Sequence, residues 1–152
     1  MAVVSISPAA EACQAIVARI KSGTEYELTQ QVEYSRVQVD VLEEINSLRV
    51  DVVTDDETQL NETLDVEDRS SHTIVIFIRD KLESLDADAI DQRALTVRQI
   101  FQRVNNYDSP DGRVKVWEVD ERTQTSPDKV LLHQKRLFVA VIVLRVEVEA
   151  SL

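Results

Sequence analysis

The chain has 152 residues, 43% of them hydrophobic and 30% charged, which fits one globular core rather than a disordered sequence. A formal net charge of −11 disfavours a phosphate-neutralising nucleic-acid surface and an anionic membrane as partners, and two glycines leave almost no supply for a glycine-rich phosphate loop. The one cysteine, Cys13, forms no internal disulfide and fits a reducing compartment, and Met1 to Ser7 lacks the basic start and long apolar run of a secretory signal.

Met1 to Ile6 reads as a small strand or an arm. Ser7 and Pro8 then start a helix, as N-cap and first helical position. Ala9, Ala12, Cys13, Ile16, Val17 and Ile20 follow at helical spacing, with Lys21 in the last turn and Gly23 at the C-terminal cap. Cys13 lies on the apolar stripe and reads as a small buried hydrophobe. Thr24 to Val41 reads as extended chain whose phase flips near Ser35, at a bulge or a break, and Val41 to Asn46 as a short helical turn. Leu48, Val50 and Val52 restart a strand that ends at Thr54.

No basic residue stands between Arg49 and Arg69. Asp55 to Arg69 holds Asp55, Asp56, Glu57, Glu62, Asp65, Glu67 and Asp68 and reads as a long acidic loop or hairpin at about 55–70. Its seven acids are the candidate partner or subunit contact site, against the plainer reading of a solvated loop. They do not match a calcium loop, which needs acids at alternate positions and a central glycine.

Thr73 to Ile78 is a nearly unbroken apolar run and reads as a buried central strand. Asp86 or Asp88 caps a second helix, with Ile90, Ala94, Val97, Phe101 and Val104 on one face and Leu95 beside it. Asn105 to Gly112 is turn-rich. Val114, Val116 and Val119 mark a further strand, on which Trp117 reads as core, with a subunit anchor as the alternative. Arg122 to Lys129 reads as a polar loop, and Val130 to His133 as the approach to the last strand.

That strand, Lys135 to Glu149, is the strongest in the sequence. Phe138, Ala140, Ile142, Leu144, Val146 and Val148 share one phase. Leu137, Val139, Val141 and Val143 share the other, which then turns to Arg145, Glu147 and Glu149. Its first half is therefore expected to be covered on both faces and its second half on one. The fold class expected is α+β: a single domain with a mostly antiparallel sheet and two amphipathic helices packed on it.

Little in the sequence suggests catalysis. His72 and His133 are the only histidines, and each reads as a surface or strand-end residue. Ser70-Ser71-His72 sets hydroxyls beside an imidazole, but adjacent strand residues point to opposite faces. No metal, cofactor or enzymatic activity is expected, and the apolar run at Leu137–Leu144 is too short to span a bilayer as a helix.

The order of these elements resembles the tail terminators, or tail-completion proteins, of long-tailed bacteriophages and the related neck proteins. The elements are an N-terminal amphipathic helix (Pro8–Lys21), a Val-x-Val strand (Val50–Val52) running into a long polar loop, and an apolar strand (Thr73–Ile78). A helix over Ile90–Val104 follows, then a polar segment at Val114–Glu118, and Leu131–Val148 with a Phe-led valine-rich strand at its end. The resemblance is one of pattern and covers most of the chain. It implies an α+β subunit of a homo-oligomeric ring, usually a hexamer, that caps the tail tube, ends its polymerisation and meets the head-side connector protein. It also implies passage of DNA through the lumen without specific binding, no membrane partner, and a place in the virion neck after assembly in the bacterial cytoplasm. The alternatives are a head-closure or tail-tube ring protein, a small acidic cytoplasmic adaptor, and an enzyme with His72 or His133 in a pocket.

Overall fold

The computed structural model describes residues 7–22, 32–34, 48–54 and 69–149. Among these residues there are three helices: α1 (Pro8–Lys21), α2 (Ala87–Val104) and α3 (Lys129–Lys135). Five strands of the described residues form one sheet: β1 (Val32–Tyr34), β2 (Arg49–Thr54), β3 (Arg69–Lys81), β4 (Val114–Val119) and β5 (Leu137–Glu149), in the order β1-β2-β3-β5-β4. All neighbours are antiparallel except the short edge pair β1–β2. The fold is α+β.

The centre of the sheet is the β3–β5 ladder. It runs without a bulge from Arg69 opposite Glu149 to Lys81 opposite Leu137. Alternation decides its two faces. On one, Ile74, Ile76 and Ile78 oppose Leu144, Ile142 and Ala140, all buried. Val50 and Val52 of β2 and Val114 and Val116 of β4 widen the same face. Ala12, Cys13, Ile16 and Ile20 of α1 and Val97, Ile100 and Val104 of α2 join these residues in one hydrophobic cluster. A fully buried isoleucine of this kind contributes roughly 1.5–3 kcal/mol.

Local chemistry sets the helix ends. Ser7 Oγ accepts from the Ala10 N–H at 3.2 Å, and Asp86 Oδ1 from the Ala89 N–H at 2.8 Å, each satisfying one otherwise orphaned donor. Asp86, rather than Asp88, is the cap of α2.

The outer edge of β5 is paired along its length. β4 covers Leu144 to Val148. Beyond it, the Asp120 N–H donates to the Val143 carbonyl at 2.8 Å, Gln124 and Val141 exchange two backbone bonds, and the Asp128 N–H reaches the Val139 carbonyl at 3.2 Å. Residues 120–128 thus continue the lane of β4 and leave few β5 backbone groups unsatisfied.

The approach to β5 differs from expectation. Val130 to His133 lies in helix α3, not in a lead-in to the strand. Asp128 Oδ1 accepts from the Val130 and Leu131 N–H groups at 3.0 and 3.1 Å and nucleates that helix. Arg136, in the left-handed conformation at φ 56°, then turns the chain straight into β5. Its carbonyl accepts from Leu82 N–H at 2.8 Å and its guanidinium donates to the Glu83 carbonyl at 3.0 Å, holding a conformation that costs a non-glycine residue roughly 1–2 kcal/mol. Among the described residues, no helix is long and apolar enough to cross a membrane.

Candidate functional site

The seven acids Asp55, Asp56, Glu57, Glu62, Asp65, Glu67 and Asp68 lie outside the described residues, as do the expected arm at Met1–Ile6, the Gly23 cap and most of the extended chain from Thr24 to Asn46. Charge counted along the sequence still locates the acidity of the chain. The described residues contain sixteen acids and sixteen bases and are formally neutral. The rest contains twelve acids and one base, Arg36, which accounts for the net −11.

The two histidines are far apart in character. His133 is exposed on α3. His72 is not at the surface: it sits inside β3, 1% exposed, on the face covered by the helices. Its Nε2 lies 2.7 Å from the buried hydroxyl of Ser70. The sequence reading compared adjacent residues, whereas positions i and i+2 of a strand share a face. That spacing, serine-x-histidine, is the signal that was available. Burial pushes the His72 pKa below the ordinary histidine value. Cys13 is also sealed in the core, where desolvation pushes its thiol up to about 12.

The opposite face carries an ion cluster. Arg79 and Asp51 are both buried and their side chains pair directly. The Nε of Arg49 adds bonds of 3.1 and 3.0 Å to the two carboxylate oxygens of Asp51. At the far end of this face, Trp117 is 42% exposed, not core. A bulge between Val116 and Glu118 inserts it into β4 as an extra residue pointing away from the core. The Arg145 guanidinium lies 5.9 Å from its ring centroid and 3.2 Å from the Asp120 carboxylate. Asp120 is held at about 2, first by the Arg122 guanidinium and then by the Arg122 backbone N–H. The patch thus presents one aromatic ring on a fixed arginine frame.

A groove of about 570 Å³ runs along α2 on the other side of β4. Ala94, Arg98 and Phe101 line it from the helix. Val119, Thr123, Thr125, Ser126 and Pro127 line it from the lane beside β5. Leu95, on the same helix, is half exposed. Arg98 is the only charged residue of the lining, and it has no hydrogen-bond or ion-pair partner among the described residues. A smaller cavity of about 250 Å³ lies at the end of the sheet between Asp108, Arg113, Lys115, Glu147 and Glu149. No group of three or more His, Cys, Asp or Glu among the described residues is placed to hold a metal ion.

The fold and these surfaces define a small α+β protein with two surface features suited to contact, the groove and the Trp117 patch. No family model matches the chain, and no curated protein matches it.

Proposed function

We propose that the chain is a structural subunit that closes into a ring, of the kind phage tail terminators form on the finished tail tube. The observation that carries this reading is the order of elements on an α+β frame: α1, β2, an acidic stretch, β3, α2, β4 and the valine-rich β5. The distribution of charge supports it. A neutral frame with its surplus acid gathered on separate stretches suits a ring that passes DNA, because carboxylates facing a lumen repel phosphate within a Debye length of about 8 Å. The duplex then slides without sticking. The same acids steer a basic face of the tube or of the head-side connector into register.

The test is the absolute mass of the purified chain by light scattering across a concentration series, followed by mixing with tail tubes. A discrete species of about six subunits that binds tube ends supports the reading. Open-ended polymer marks a tube subunit instead. A monomer that also ignores tube ends overturns the proposal.

A further inference from the structure

The groove beside α2 and the acidic stretch between β2 and β3 are complementary in two respects. The groove has an apolar floor, with Phe101, Val119 and Pro127, and a single charge, the positive Arg98. The stretch 55–68 has seven acids, no base, and the apolar residues Leu60, Leu64 and Val66 among them. A peptide of that composition offers carboxylates to Arg98 and aliphatic side chains to the floor, and Thr125 and Ser126 supply hydroxyls at the rim.

The two features also belong to different parts of the chain. The stretch leaves from β2 and enters β3, whereas the groove lies beyond β5 at the β4 edge. A contact between two unlike parts of the same chain, made between copies, is heterologous: it passes from copy to copy and closes when the rotation allows. We infer that the α2 groove of one copy receives the acidic stretch 55–68 of the next copy. This inference rests on the ring reading and names the contact that builds the ring.

The experiment uses the full chain in two single-site classes. Arg98→Glu reverses the charge of the groove at an exposed position. Glu62→Lys with Asp65→Lys reverses part of the stretch. Circular dichroism and thermal melting establish that each variant folds as the natural chain does. Each alone is expected to weaken association by about tenfold or more, so that it runs as a monomer at a concentration where the natural chain is assembled. The decisive sample is the equimolar mixture. A heterologous contact sets the natural groove of one variant against the natural stretch of the other, so the mixture associates at a concentration where neither variant does alone. If the mixture stays monomeric, the stretch serves its own chain or nothing, and the inference is overturned. If both variants assemble like the natural chain, the inference falls while the ring reading stands. If the natural chain never associates, either alone or on tube ends, both fall.

Discussion

The two faces of the sheet are built on the same strands, one residue apart, and are held by different physics. Under α1 and α2 the contact is a set of aliphatic rows, with Ile76 between Val52 and Ile142. On the opposite face Asp51 lies between Arg49 and Arg79, which oppose one another across β2 and β3. Aliphatic rows are tolerant: a two-residue slip of β2 would still turn valines inward. The ion cluster is directional: Arg49 stands opposite Arg79, and Asp51 pairs with both from the neighbouring position on the same face. The apolar face therefore specifies which side is inside by buried area, and the ionic face adds directed charge pairs on the other.

The most damaging way to break this division is to unbalance the ions. Asp51→Ala removes a buried carboxylate paired with the buried Arg79 and is expected to cost about 3–5 kcal/mol in urea denaturation. Replacing both partners together, Asp51→Leu with Arg79→Met, should return most of that stability but loosen register, visible as faster amide exchange in β2. A loss under about 1 kcal/mol for Asp51→Ala would remove the ions from the account. Next comes the apolar face: Ile76→Ala opens a cavity in a fully closed row and should cost about 3 kcal/mol with an unchanged denaturant slope.

The buried polar pair on the apolar face gives a smaller, pH-dependent effect. Ser70→Ala removes the hydroxyl partner of His72 and should cost about 1–2 kcal/mol. Because the folded His72 pKa is depressed, the unfolded chain binds the proton first. The contribution of the neutral imidazole is complete above the unfolded value near 6.5 and is lost as pH falls below it, by up to about 1.4 kcal/mol per pH unit. Urea midpoints of the natural chain and His72→Leu between pH 7.5 and 5.5 should differ in slope; parallel profiles would show that His72 titrates as in the unfolded chain. The smallest effect is expected at the edge of the helical layer, where Ser7→Ala removes the α1 cap at a cost of about 1 kcal/mol in the same assay.

The sequence made the apolar face readable because periodicity records it directly. The two phases of β5 and the stripe of α1 match the structure, and on α2 Val97 and Val104 are buried as expected, whereas Ala94 is exposed and Ile100 takes its place in the core. β3 is longer than its apolar run, Thr73–Ile78, because Ser70 and His72 share a hydrogen bond and enter the core as a pair. That pairing is tertiary chemistry, which hydropathy does not register. The bulge that expels Trp117 and the cap that makes 129–135 a helix were harder for related reasons. The first depends on register with a strand some thirty residues away, and the second on Asp128 outweighing the strand bias of the valine that follows. The groove was not legible at all, since α2 and the 119–127 lane meet only after β4 has paired with β5.

Cys13 gives the molecule an internal clock. It is the sole thiol, it is closed off beneath α1, and its pKa of about 12 keeps it protonated at neutral pH. A thiol reagent can reach it only when α1 lifts from the sheet, so the labelling rate counts those openings directly. Labelled alone and after assembly, the chain would report whether joining its neighbours slows the breathing of its first helix.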